Sequence, residues 1–391
     1  MIVEKKGRLQ SIFNAPVAQP DRVPGFEPGG WGFKSLPVQS FFMIDIYSLT
    51  QKQYADAIFT ELDKGKELAK LVYSLWFKEG RHPQEIEILP TAKKLLQKIL
   101  EITDFSIPST FEQKGSKWLQ TFSDRLQTES VEIQMEFGFT LCLSSQVGCR
   151  MGCAFCETGR LGLIRNLSVK EIVLQLYYAK VIRKVAVRNL VFMGMGEPFD
   201  NYEAVKQAIA IFTDPRGFGL GPSRITVSTS GLVDILKKFT QEVDPRVKLA
   251  VSINGSSDLV RSKVMPVNSR FSMDVLKESL MEYQKSHPKR TLLFEYVLLE
   301  NVTDLLSMAD DLAKFCEGFI DLRINVIPYN PQSRARFKTP SMESTQNFMD
   351  RLRSHGYRVY LRGTKGEKEM AACGQLGNLG LRSIKINSIV A

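Results

Sequence analysis

Residues 149–171 read CRMGCAFCETGRLGLIRNLSVKE. Cys149, Cys153 and Cys156 stand there in CxxxCxxC spacing, on a stretch that Arg150, Gly152 and Glu157 make polar and flexible. Ser168 and Glu171 form a capping box that predicts a helix to about Lys184. Immediately upstream, the apolar run TLCLS (140–144) reads as a strand, so three thiols lie on a loop between a strand and a capped helix. Downstream the alternation continues. Strand NLVFMG (189–194) is followed by a helix from Tyr202, strand RITVS (224–228) by a helix near 231–240, and strand KLAVSI (248–253) by a helix from Met273. Strand LLFEYVLL (292–299) then leads to a helix from Asp304, strand LRINVI (322–327) to a helix from Ser344, and the series closes on strand YRVYLR (357–362). Strands alternating with helices of about 10–15 residues imply parallel βαβ units. About six such units are too few for a complete eight-fold barrel, so the expected class is α/β, a partial, open (β/α)6 barrel with its chemistry at the carboxyl ends of the strands.

The three thiolates invite a metal. A structural zinc site wants four ligands, usually in paired knuckles, and no second pair follows; His82, His287 and His355 are distant in sequence. A zinc reading therefore needs a remote fourth ligand, and a reading as core cysteines conflicts with the polar loop. A [4Fe–4S] cluster held by three cysteines satisfies the spacing and leaves one iron open, which implies chemistry rather than electron transfer alone.

CxxxCxFC on the first loop of such a barrel resembles the radical S-adenosylmethionine (SAM) superfamily. That resemblance implies that the amino and carboxylate groups of SAM chelate the open iron, and that one-electron reduction yields a 5′-deoxyadenosyl radical. LCLSSQVGCRMGCAFCETGRLGLIRNL (141–167), VFMGMGEPFDNYEAV (191–205), ITVSTSG (225–231), VMPVN (264–268), INVIPYNP (324–331) and AACGQL (371–376) together resemble, in order, the RlmN/Cfr family of RNA adenine methyltransferases. The family implies Cys149, Cys153 and Cys156 as cluster ligands. It implies Gly196 and Glu197 as receivers of the methionine end of SAM, with Ser228, Ser252, Ile253, Asn254 and Asn330 as further cofactor contacts. Asn254 departs from the pattern, since the family commonly has histidine there; asparagine can hydrogen-bond but takes no charge. Lys368, Glu369 and Met370 also depart from the acidic residue and isoleucine usual ahead of AAC.

A lone cysteine such as Cys373 ordinarily reads as a small hydrophobe. The resemblance makes it the carrier of a methyl group, as S-methylcysteine. It makes Cys142 the second thiol that releases the product through a transient disulfide with Cys373, where the residue alone reads equally as a fourth iron ligand or a core thiol. It makes Glu129 the general base, where the residue alone reads as strand surface. Cys316, in KFCEG, matches no motif and reads as packing.

Toward the N-terminus, a small helical accessory domain is expected over 43–104. Leu68, Leu71, Val72, Leu75 and Trp76 fall at helical spacing there, and Pro90 opens a helix through Leu100. Its Lys64, Lys66, Lys70, Lys78, Arg81, Lys93, Lys94 and Lys98 offer contact to RNA phosphate, a solvated polar face being the ordinary meaning of such charges. Strands WLQTF, SVEIQMEF and TLCLS occupy a linker over 105–143; the barrel core spans 144–363, and a C-terminal loop and tail over 364–391 carry Cys373. Residues 1–42 have no helical or strand period and read as a disordered or spurious extension, for VAQPDRVPGFEPGGWGFKSLPV resembles a mistranslated tRNA gene and suggests Met43 as the start.

The 391 residues are 43% hydrophobic and 24% charged, ordinary for a globular protein and wrong for extended disorder. No apolar run approaches a membrane span and no secretion signal is visible, so a cytoplasmic enzyme without a membrane partner is expected. A formal charge of +10 favours a polyanion. RNA is the expected partner, large-subunit rRNA first and tRNA second, methylated at carbon 2 or carbon 8 of an adenine. A flavodoxin or ferredoxin system is the expected electron donor, and the chain is expected as a monomer. The competing readings are another radical SAM enzyme, which leaves the pair Cys142 and Cys373 without a purpose, and a non-catalytic RNA-binding protein with a structural metal.

Overall fold

A computed structural model of the chain describes residues 43–363 and 370–377. The expectations for residues 1–42 and for the segments 364–369 and 378–391 lie outside the described residues. The central sheet has ten strands: β1 Thr110–Lys114, β2 Lys117–Thr121, β3 Gln127–Met135, β4 Gly138–Cys142, β5 Val187–Phe192, β6 Ile225–Thr229, β7 Lys248–Ser252, β8 Leu292–Leu298, β9 Leu322–Pro328 and β10 Arg358–Leu361. They are hydrogen-bonded in chain order from one edge to the other. The first three are antiparallel, and every neighbour from β4 to β10 is parallel.

The linker strands thus belong to the barrel sheet itself, and β4 is its first parallel member. Cys142 ends β4, beside Val191 on β5 and opposite Val131 on β3. Six helical crossovers join the seven parallel strands, as the (β/α)6 reading requires. They comprise α4 Glu157–Leu161 with α5 Val169–Tyr177, then α6 Tyr202–Thr213, α7 Val233–Glu242, α8 Asp258–Val264 with α9 Met273–Ser286, α10 Leu306–Cys316 and α11 Met342–Ser354. Buried β-branched and aromatic side chains such as Val227, Val251, Phe294, Ile324 and Val326 belong to the hydrophobic core, as expected of strands covered on both faces. The Ser168–Glu171 capping box forms. Cys316 is buried at the end of α10, packing as read from its sequence.

The N-terminal part holds α1 Gln51–Leu62, α2 Lys66–Ser74 and α3 Pro90–Glu101. Its aromatic side chains enter the same hydrophobic cluster as the barrel. Tyr47 meets Tyr177 edge-on at 5.2 Å between ring centroids, Trp76 stacks on Tyr177 at 5.6 Å, and Phe77 meets Phe218 at 5.0 Å. Leu71, grouped with the core by spacing, is 40% exposed. Lys66, Lys70 and Arg81 are engaged with Asp56, Glu67 and Glu79, whereas Lys64, Lys78, Lys93, Lys94 and Lys98 are exposed. Among the described residues no helix is long and apolar enough to cross a membrane.

Candidate active site

The loop after β4 is fixed by backbone contacts before any side chain is considered. Gln146–Val147 pairs antiparallel with Arg165–Asn166, Cys149 N–H donates to the Gly162 carbonyl at 3.1 Å, and Ala154 N–H donates to the Val264 carbonyl at 2.9 Å. Cys149, Cys153 and Cys156 all border one cavity at the carboxyl ends of the strands. Among the described residues no three histidine, cysteine or carboxylate side chains stand close enough to share one metal ion. Three thiols around a cavity fit a cluster, whose irons occupy separate corners, better than they fit a single ion with sulfurs at ~2.3 Å. Desolvation pushes all three thiols above the ordinary cysteine range, and the neighbouring thiols of the loop add to the rise for Cys149 and Cys153. Binding a positively charged metal centre reverses that penalty.

Gly196, Glu197, Ser228, Ser252, Asn254 and Asn330 border the same cavity. Gly196 has φ +104°, and a Cβ there would lie 2.7 Å from Gln146 N, so the close approach admits only glycine. Glu197 is buried; one carboxylate oxygen accepts from Phe199 N–H at 3.0 Å and the other from Ser230 N–H at 2.7 Å. Burial raises its pKa, and these two N–H groups partly offset the rise. Ile253 does not border the cavity. Its side chain is buried and its carbonyl accepts from Arg261 Nε at 2.9 Å.

Cys373 borders this cavity and also a second one, which Cys142 lines. All six cysteines are free thiols, so the disulfide implied for Cys142 and Cys373 is not formed in the structure. Burial pushes the Cys142 thiol up to about 12, with Cys373 adding to the rise and Arg362 opposing it. Glu129 lines neither cavity. Its carboxylate pairs with Lys117 Nζ at 3.1 Å and accepts from Gly377 N–H at 2.9 Å.

Sequence reading missed two cations here. Arg362, just past β10, borders both cavities, together with Cys373. Its guanidinium donates to Glu295 Oε2 at 3.1 Å and reaches Met193 Sδ at 3.1 Å. Lys117 is buried beside Glu129, twelve residues earlier in the chain. Arg362 closes the strand YRVYLR and Lys117 immediately precedes WLQTF, so position at a strand end was the signal available for both.

The radical SAM superfamily model matches residues 143–312. The chain is 48% identical over 347 residues to a probable dual-specificity RNA methyltransferase RlmN 1 of Protochlamydia amoebophila, covering 88% of this chain and 96% of the relative. The chain belongs to the RlmN family of radical SAM RNA methyltransferases. A dual-specificity RNA methyltransferase RlmN of Bdellovibrio bacteriovorus is 37% identical over 343 residues, covering 85% of this chain and 84% of that one. A crystal structure of a radical SAM methyltransferase from Sphaerobacter thermophilus superposes with a TM-score of 0.77 at 32% identity, over 85% of this chain and 99% of its own. An RlmN-type enzyme of the radical SAM superfamily uses an iron–sulfur cluster and SAM, and the cavity ringed by the three thiols is where the donor set suits them.

Proposed function

We propose that this RlmN-type methyltransferase transfers a methyl group to carbon 2 or carbon 8 of an adenine in large-subunit rRNA, and in tRNA as a second substrate, through S-methylcysteine at Cys373. The observation that carries the reading is the position of Cys373, which borders both the cavity with the three loop cysteines and the cavity with Cys142. The designation dual-specificity in the relatives' names supports two RNA substrates.

In this reading Cys149, Cys153 and Cys156 hold a [4Fe–4S] cluster, while Gly196, Glu197, Ser228, Ser252, Asn254 and Asn330 seat SAM. When bound, the pair supplies a methyl group and a hydrogen-abstracting radical, which is what an S-methyl carbon without an acidic proton requires. Cys373 carries the methyl carbon and, as a thio-methylene radical, bonds to the adenine carbon. Glu129 takes the proton from that carbon once its contacts to Lys117 and Gly377 are released, and the unpaired electron of the adduct returns to the electron-donor system. The Cys142 sulfur then attacks the Cys373 sulfur, forming an S–S bond while the S–C bond breaks and the thiol proton passes to the new methyl carbon, and a thiol reductant returns both cysteines. The exposed lysines of the N-terminal helices meet RNA phosphate, a flavodoxin or ferredoxin system supplies the electron, and the chain works as a monomer.

Cys142→Ala tests the sequence of steps. It is expected to keep iron, to methylate Cys373, and to accumulate an RNA–protein crosslink that survives denaturing electrophoresis and disappears with ribonuclease. Cys373→Ala is expected to keep iron and form neither methylcysteine nor crosslink. Loss of iron from the Cys142 variant would make that thiol a cluster ligand, and normal turnover would remove the covalent mechanism. Mass spectrometry of rRNA and tRNA from cells with and without the gene assigns the nucleotide and the carbon.

A further inference from the structure

The second cavity is a trough with a volume of about 370 Å³, within the roughly 300–1,000 Å³ span of ligand pockets. One wall is the β3–β4 hairpin. Val131, Ile133 and Met135 alternate along β3 and face the trough, together with Thr140 and Cys142 from β4. Leu361 and Arg362, at the end of β10, line it as well. In sheet order β10 and β3 are separated by β4 to β9, so a space that both line is the lateral opening where the curled sheet fails to close. The inner end of the trough holds Cys142 and Cys373, and its outer rim carries Met135, 46% exposed, and Leu361, 40% exposed.

The hairpin tip continues that rim. Phe137 is 73% exposed, among the most exposed large hydrophobic side chains of the described residues. The turn is rigid: Gly138 has φ +101°, and a Cβ there would meet the Ala186 carbonyl at 2.8 Å and the stem of Arg188 at 2.9 Å. That contact sets the exposed guanidinium side chain of Arg188 beside the turn, whereas Glu136 within the turn disfavours phosphate at the tip itself. An apolar, aromatic tip with an acidic neighbour suits the uncharged face of a base, and the adjacent cation suits the backbone of the same strand.

We propose that the β3–β4 hairpin is an RNA-contact element. Phe137 stacks on a nucleotide flanking the target, Met135 supports the target base as it enters the trough toward Cys373 and Cys142, and Arg188 faces the intervening phosphate. A base swung out of its stack is thereby exchanged for protein stacking at the mouth, while the polyanionic chain stays outside the barrel. The proposal rests on the covalent reading given above only for the direction in which the base travels.

The test uses full-length protein with reconstituted cluster, and rRNA and tRNA purified from cells lacking the gene. Phe137→Ala is expected to keep the wild-type melting temperature and iron content, since that side chain is 73% exposed, and Met135→Ala, at 46% exposed, to keep the iron content. Phe137→Ala is expected to raise the Kd and KM for RNA about tenfold, the effect of losing one stacked base, and Met135→Ala to raise both by less, with kcat changed less than twofold in each. Phe137→Trp is expected to restore both constants to within twofold of wild type, which a purely structural role for the hairpin would not produce. Unchanged RNA affinity in both alanine variants, or a Trp variant as weak as the Ala variant, overturns the proposal. In the Cys142→Ala background the two readings separate. Absence of any crosslink with the hairpin intact removes the covalent mechanism while the affinity series still judges the hairpin; a crosslink whose RNA dependence ignores Phe137 removes the hairpin alone.

Discussion

Asn254 borders the cavity and also braces the fold. It adopts φ +50°, a left-handed conformation that asparagine tolerates better than most residues. Its Oδ1 accepts from Val297 N–H at 2.8 Å and its Nδ2 lies 3.3 Å from Met265 Sδ, so the side chain ties the end of β7 to β8 and to the VMPVN segment. The family's histidine is thus replaced here by a residue whose amide is used within the barrel. Asn254→Ala is expected to cost about 2 kcal/mol, combining a lost acceptor with left-handed strain, and Asn254→Gly less, because glycine relieves the strain. Urea titration at constant slope reads the difference; equal costs for the two variants would show that the backbone conformation contributes nothing.

At the scale of elements, the segment 370–377 is held by β2 and β3, by the loop after β9 and by α4. Lys117 Nζ donates to the Met370 carbonyl at 3.3 Å, and Glu129, paired with the same ammonium, accepts from Gly377 N–H, so one buried ion pair grips both ends of the segment. Asn330 Nδ2 donates to the Cys373 carbonyl at 3.0 Å, Gln375 Nε2 to the Pro331 carbonyl at 2.8 Å, and Glu157 N–H to the Gly374 carbonyl at 2.7 Å. The side chains of Lys117 and Glu129 are 12% and 8% exposed, so removing one partner strands the other. Lys117→Met is expected to destabilise by about 3–5 kcal/mol. It is also expected to speed hydrogen exchange at 371–376 at least tenfold and to lower methylation of Cys373, with Lys117→Arg recovering part of each. Unaltered exchange in that segment would mean that the ion pair does not position it.

For the whole molecule, the N-terminal helices and the barrel share one hydrophobic cluster through Tyr47, Trp76, Phe77 and Tyr177. Tyr47 is fully buried, and its hydroxyl donates to the Phe105 carbonyl at 3.3 Å. Tyr47→Ala is expected to cost about 3–5 kcal/mol and to lower stability as a single transition, with tryptophan fluorescence and far-ultraviolet circular dichroism moving together. Two separated transitions in the variant would show that the helices unfold independently of the barrel.

The sequence by itself determined the spacing of the three loop cysteines, the capping box at Ser168 and the strand–helix alternation, because each is written in residues close together in the chain. The same local signals extended to Gly196 and Glu197, which sit just past a strand end. Other features had no local signal. That β4 is a barrel strand, that Glu129 is clasped by Lys117 rather than solvated, and that Arg362 lines one cavity with Cys142 and Cys373 all depend on strands meeting across the sheet. The family resemblance implied Ile253 as a cofactor contact along with Ser252 and Asn254, but alternation along the strand turns its side chain into the core. Only the curling of the whole sheet decided that β3 and β10, far apart in chain and in strand order, would flank one opening, since closure is set by twist and packing summed over every strand and by no segment alone.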